Sequence, residues 1–247
     1  MNQYKILPIG SSDALDYAVH TLEHAGYTIL QTPSQETTHL ILPTPSFSPD
    51  GNIQGGKNLE TLLPQLPSNV TVIGGNLTHP ALCGYKAIDL LQDPFYLSKN
   101  ANITAHCAIR LAMHNLTCTL DNCPVLIIGW GRIGKCLAHL LRNLSCNVTV
   151  AARKVSDQAM LQALGYQSTS PSDIDPHNYR LIYNTVPVLL LPQCPGNALK
   201  IDLASERGIE SADVIWARGL PGKYAPKSSG ELIANTIIQI FRKEQCK

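Results

Sequence analysis

Short apolar runs alternate along the first half of the chain with segments whose apolar residues recur at helical spacing, the pattern of parallel strands joined by crossover helices. Strands are predicted at residues 4–7, 27–30, 38–42 and 70–73. Between the first two, Ala14, Leu15, Ala18, Val19 and Leu22 fall on one side of a helix over 13–25, and Gly26 supplies its stop. Residues 43–57 contain three prolines and three glycines without periodicity, which predicts a long loop at the carboxyl side of the strands. Gly74-Gly75 and the interrupted stretch through Pro94 close a first domain, residues 1–100. A helix over 102–116 then leads into a second domain, residues 101–227.

The second domain opens on the apolar run 124–128, followed at once by Gly129-Trp130-Gly131-Arg132-Ile133-Gly134 and a helical pattern over 135–143. A further strand is predicted at 147–150, so the glycines stand where a strand must turn into a helix within a βαβ unit. That context points to a dinucleotide site. Gly129 allows the tight turn, Gly131 lets the backbone approach a pyrophosphate, Gly134 lets helix and sheet pack closely, and the helix amino terminus offers free N–H groups to phosphate. Cofactor choice is read at the end of the next strand, where a carboxylate would bind the ribose 2′-hydroxyl of NAD. Here the chain reads Ala151-Ala152-Arg153-Lys154, with no carboxylate, so a 2′-phosphate is expected and NADP is favoured, NAD remaining possible. Ser156 is a further hydroxyl candidate; the alternative is a pair of ordinary surface cations.

Three more strands are predicted, at 181–187, 199–205 and 214–217. Asn184, Thr185, Val186 and Pro187, with Leu203 and Ala204, are expected beside the cofactor at the strands' carboxyl ends. The loop 218–231 holds two prolines and three glycines besides Arg218, Lys223 and Lys227, which suits an anionic substrate or a rigid connector. Ser228 and Glu231 read as a capping box for a last helix, 228–243, that completes the first domain. On the helix over 102–116, His106, Arg110 and His114 form one polar stripe beside Ile103, Cys107 and Leu111. The stripe is either a cationic wall for carboxylates or a solvated helix face.

Composition narrows the classes. The charge of +1 without a basic run leaves no footprint for nucleic acid or anionic lipid, and no stretch approaches the roughly 20 apolar residues of a membrane span. The start Met1-Asn2-Gln3-Tyr4-Lys5 lacks the pattern of a secretory signal, so a cytoplasmic protein is expected. Eight cysteines without a C-x-x-C pair fit reduced thiols, and no metal site is expected.

The residues from about 97 to 241 resemble the dipicolinate synthase A-subunit family, two-domain oxidoreductases of bacterial spore formation. The resemblance lies in Gly129 to Gly134, Ala152-Arg153, Asn184-Thr185-Val186-Pro187, Ile201-Asp202-Leu203-Ala204-Ser205, and above all Gly219-Leu220-Pro221-Gly222-Lys223-Tyr224-Ala225-Pro226-Lys227 with Gly230, Leu232, Ala234 and Asn235. It implies a flavodoxin-like α/β domain and a Rossmann domain, both doubly wound on parallel sheets. It further implies oxidation of a dihydrodipicolinate-like ring with hydride passing to NADP, a partner in the form of a flavoprotein-like second subunit, and a homo-oligomer. On this resemblance Arg218, Lys223 and Lys227 take carboxylate-binding roles and His106 a proton-transfer role. Two departures touch the substrate side: Thr104-Ala105-His106-Cys107 stands where the family has Thr-x-Glu-Gly, and Glu206-Arg207-Gly208 where it has Pro-Gly-Gly. A D-2-hydroxyacid dehydrogenase relative would use Arg207 as its carboxylate clamp but also needs a late histidine, and none follows His177. A non-catalytic NADP-binding protein or sensor is the other reading.

Overall fold

The computed structural model describes residues 3–194 and 196–246. These divide into two units, one holding residues up to Asn100 together with those from Pro221 on, the other holding Ala101–Leu220. In the first unit β1 (Lys5–Pro8) leads through α1 (Asp13–His24) to β2 (Thr28–Ile29), followed by β3 (His39–Ile41), the short α2 (Leu59–Leu62), β4 (Thr71–Gly74) and β5 (Lys86–Asp89). All pairings are parallel and the order is β2-β1-β3-β4-β5, the flavodoxin-like winding that reverses between β1 and β3. The Ser12 hydroxyl caps α1 by accepting from Leu15 N at 3.1 Å, and Ala14, Leu15, Ala18 and Leu22 are buried as their spacing predicts. β5 leaves no mark in the sequence pattern: its first two residues, Lys86 and Ala87, are exposed, so this edge strand carries no apolar run.

The aperiodic loop after β3 is well packed. Ile53 is fully buried, Ser11 N donates to Gln54 O at 2.8 Å, and the Ser46 hydroxyl accepts from Gly75 N at 3.0 Å. A Cβ on Gly55 would stand 2.7 Å from Ser11 N, so the loop approaches the β1–α1 turn backbone to backbone.

The linking helix α3 runs over Pro94–Asn115, eight residues longer at its start than predicted. Asp93 caps it, its carboxylate accepting from Tyr96 N at 2.7 Å, and Pro94 suits the first turn, where no N–H is needed. Within the second unit its buried side is set by small residues, Ala101, Ala105, Ala108 and Ala112, which let neighbours approach closely. The Tyr183 hydroxyl reaches Ala108 O at 3.1 Å.

The second unit continues with β6 (Pro124–Ile128), α4 (Arg132–Asn143), β7 (Asn147–Ala151), α5 (Val155–Ala163), β8 (Gln167–Thr169), β9 (Leu181–Asn184), β10 (Leu199–Asp202) and β11 (Ile215–Trp216). The parallel order β11-β10-β9-β6-β7-β8 is the Rossmann winding, reversing between β6 and β9. Both doubly wound sheets expected from the sequence are therefore present.

After α6 (Leu220–Tyr224), α7 spans Pro226–Gln245 and belongs to the first unit. The capping box does not form. Ala225 is the N-cap with no side-chain hydrogen bond and Pro226 occupies the first turn, so Ser228 and Glu231 already lie inside the helix. Proline at that position starts a helix without a capping side chain because its missing N–H is one that would go unpaired anyway. α7 lies against α1 at Gly230, where a Cβ would meet Ala14 O at 2.5 Å. Near its end Phe241, fully buried, stacks on Tyr4 with centroids 4.1 Å apart.

Candidate functional site

The site of the second unit is built on the β6–α4 turn, and its three glycines meet three different constraints. Gly129 has φ +104°, and a Cβ there would stand 2.5 Å from Thr185 Oγ1 and 2.6 Å from Val186 Cγ2. The Thr185 hydroxyl in turn donates to Ile128 O at 2.8 Å, tying the exit of β9 to the exit of β6. Gly134 faces back onto the turn, where a Cβ would collide with Gly129 O. Gly131 is the N-cap of α4 and has no side chain with which to cap it, yet a Cβ there would meet nothing within 4 Å. The first-turn N–H groups of α4 thus face open space unpaired within the helix, the arrangement that receives phosphate.

That open space is a cleft of about 600 Å³, within the range of small-molecule sites. Gly129, Trp130 and Gly131 form its floor, Arg153 and Lys154 one wall, and Val186 the opposite one. Trp130 is steadied edge-to-face by Tyr166, centroids 5.9 Å apart. Open volume that a Gly131 side chain would enter, unpaired helix N–H groups and a cationic wall together fit a dinucleotide.

Other residues expected at the cofactor do not line this cleft. Arg132 and Pro187 are exposed elsewhere, Ile133 and Leu203 are half-buried, and Gly134 and Ala204 are buried. Conversely, Asp157, Ser170, Ser172, Val188 and Leu190 line it although the motif does not point to them. Asp157 corrects the expectation that no carboxylate stands near the cationic pair: it enters from the first turn of α5, four residues beyond Arg153. Ser170 and Ser172 come from the turn after β8, with hydroxyls 2.9 Å apart.

Asn184 and Thr185 act behind the wall. Asn184 is fully buried; its amide donates to Val186 O and to Asp202 Oδ1, both at 2.9 Å, and its oxygen accepts from Val186 N at 3.1 Å. Asp202, also fully buried, accepts from Asn184 and from Ala204 N at 3.0 Å on Oδ1. Its Oδ2 accepts from Gly208 N at 2.7 Å and Ile209 N at 3.1 Å. The loops after β9 and β10 are therefore joined through one carboxylate. Gly208 is required there, because a Cβ would meet Val188 O at 2.6 Å and run into the Asn184 amide.

The four residues expected to serve catalysis fall in both units. His106 lies on the exposed side of α3 with Arg110 and His114, in the second unit. Arg218, also in the second unit, has its guanidinium carbon 5.4 Å from the Trp216 ring centroid. Lys223 is exposed on α6, and Lys227 sits on α7 with its ammonium 4.0 Å from Glu231; both belong to the first unit. Among the described residues there is no group of three or more His, Cys, Asp or Glu able to hold a metal, and no helix long and apolar enough to cross a membrane. All eight cysteines are free. A cavity of about 580 Å³ in the first unit opens beside His39, Thr71 and Lys86, the first residues of β3, β4 and β5. That is the amino end of a parallel sheet, opposite to the end where ligands bind.

No protein-family model matches the chain. It is 24% identical over 245 residues to the dipicolinate synthase A-subunit of Bacillus subtilis (strain 168), covering 88% of this chain and 82% of that protein. The crystal structure of the dipicolinate synthase A-subunit from Bacillus halodurans matches with a TM-score of 0.83 at 20% identity, over 96% of this chain and 97% of that one. A transhydrogenase from Sinorhizobium meliloti matches with a TM-score of 0.70 at 14% identity, over 97% and 94%.

Proposed function

We propose, from the premise that the chain is a relative of the dipicolinate synthase A-subunit, that it is an NADP-dependent oxidoreductase converting a dihydrodipicolinate-like ring to the aromatic dicarboxylate. The observation that carries this reading is the cleft in which an uncapped glycine turn faces Arg153 and Lys154. Unpaired N–H groups at the start of α4 receive the pyrophosphate, and the Arg153 fork with the Lys154 ammonium receives the 2′-phosphate. Asp157 on the same wall sets the limit of that cationic region. The bound nicotinamide supplies a hydride acceptor.

Aromatisation favours the forward reaction, so the protein's task is to hold the ring and take up one proton. Arg218, Lys223 and Lys227 bind the substrate carboxylates, and His106 accepts the proton that leaves the ring as the hydride is removed. Asn184, Thr185 and Asp202 do not touch the reactants: they hold the β9 exit so that Val186, Val188 and Leu190 keep the cleft apolar on that side. A flavoprotein-like partner chain and a homo-oligomer complete the functional assembly, by analogy with the relative, which is itself one component of a synthase.

The test is titration of the purified protein with NADPH and with NADH, followed by Trp130 fluorescence. NADPH is expected to bind more tightly, and Arg153→Ala to weaken NADPH by about 10-fold or more while leaving NADH unchanged, since a charge-assisted hydrogen bond is lost only with the 2′-phosphate. Equal effects on both nucleotides would overturn the NADP assignment; binding of neither would overturn the oxidoreductase reading.

A further inference from the structure

Two arginines far from the cationic wall converge on one indole. Trp216 ends β11, and its Nε1 donates to Ala204 O at 3.1 Å, which fixes the ring against the exit of β10. The guanidinium carbons of Arg207 and Arg218 stand 5.0 and 5.4 Å from its centroid. They are therefore separated by no more than those two distances laid end to end. Neither guanidinium has an ion-pair partner among the described residues. Trp216 itself stays 38% exposed, so the ring is not sealed into the core.

The backbone holds both arginines close to one anchor. Arg207 precedes Gly208, whose N–H donates to Asp202 Oδ2, and Arg218 follows Ala217, whose N–H donates to Asp202 O at 2.8 Å. Both thus sit one residue from a hydrogen bond to the same buried aspartate, beyond the carboxyl ends of β10 and β11, where open parallel sheets bind ligands. Two like charges kept near each other, stacked but not neutralised, attract an anion carrying two charges more strongly than one carrying a single charge.

We propose that Arg207, Trp216 and Arg218 form a clamp for a dicarboxylate, one guanidinium for each carboxylate, with Trp216 as the positioning residue between them. This deepens the function proposed above by adding Arg207 and Trp216 to the substrate side, and it rests on that reading for its setting. Stacking on the indole stiffens two long side chains before the ligand arrives, so less freedom is lost on binding. A monocarboxylate engages one fork and leaves the second charge unanswered.

The chain has two tryptophans, Trp130 and Trp216, so Trp130→Phe leaves Trp216 as the sole reporter. The experiment titrates that variant with pyridine-2,6-dicarboxylate and pyridine-2-carboxylate at constant ionic strength. A saturable change in Trp216 emission is expected, with the dicarboxylate binding about 10-fold tighter. Arg207→Gln and Arg218→Gln should each erase the preference. With calorimetry as readout, Trp216→Leu should reduce the preference while NADPH affinity stays unchanged, which a general loss of structure would not do. An unsaturable response, equal affinity for the two acids, or a preference that survives either arginine substitution overturns the clamp. NADPH binding by the unsubstituted protein is measured separately. A dicarboxylate preference without NADPH binding sinks the proposed function and leaves the clamp standing, and NADPH binding without the preference does the reverse.

Discussion

Asp202→Asn is expected to be among the most damaging isosteric changes in the second unit. The carboxylate accepts four N–H groups, two on each oxygen, and it has no ion-pair partner among the described residues. An asparagine keeps one oxygen for the Asn184 amide and Ala204 N, but turns an NH2 group toward Gly208 N and Ile209 N. Both of those residues are buried, so two backbone donors lose their acceptor where water does not replace it. At about 1–3 kcal/mol for each such group, the loss is roughly 2 to 6 kcal/mol. That is a large part of the ~5–15 kcal/mol by which a domain is stable. Guanidinium unfolding followed by circular dichroism measures it as a lowered midpoint. The difference from the parent should be the same at low and high salt, because no counter-charge is being screened. NADPH affinity should fall as well, since Val186 and Val188 on the cleft wall are held through Asn184 and Gly208. A loss under about 1 kcal/mol, or one that disappears in high salt, would refute the four-donor account.

Two further changes probe other parts of the molecule. Gly134→Ala puts a methyl into Gly129 O, and α4 must move off the turn to admit it; about 1–3 kcal/mol of overpacking is expected. A clear loss of NADPH affinity should accompany it, and unchanged affinity would show that the turn is not the pyrophosphate seat. In the first unit, burial pushes the His39 imidazole down to about 4, with Glu244 pulling it up and Lys86 pushing it further down. The folded protein therefore resists a proton that the unfolded chain accepts near pH 6.5, so stability should fall as the pH drops from about 6.5 to about 4, by about 3 kcal/mol. His39→Gln should remove that part of the pH slope, and an unchanged slope would assign it to other groups.

What the sequence made legible follows from where the information resides. The glycine turn could be read because the missing Cβ is itself the requirement: Gly129 and Gly134 are small since Val186 and Gly129 O leave no room. The central strands could be read because Val125 to Ile128 and Leu181 to Tyr183 are buried on both faces, giving continuous apolar runs. β5 and β8 could not, since Lys86, Ala87 and Gln167 are exposed and leave no such run. With β8 and α5 illegible, Ser170, Ser172 and Asp157 stay hidden too, because they reach the cleft only where those elements carry them to its rim.

The failed capping box shows how a local signal loses to a stronger one. Ser228 and Glu231 have the right spacing, but Pro226 two residues earlier already supplies a start. Asn184 shows the opposite limit. A polar residue at the end of an apolar strand reads as a ligand contact, whereas its amide is spent on Val186 and Asp202. The tie between these residues depends on the loops after β9 and β10 closing on each other, with Gly208 at the point of closest approach, and no periodicity along the chain encodes that meeting. A residue's chemistry can thus be read from its type, but whether that chemistry faces a ligand or the scaffold is decided by partners distant in sequence. The same distinction separates Arg153, on the cleft wall, from Arg207 and Arg218, whose shared indole brings together two positions eleven residues apart.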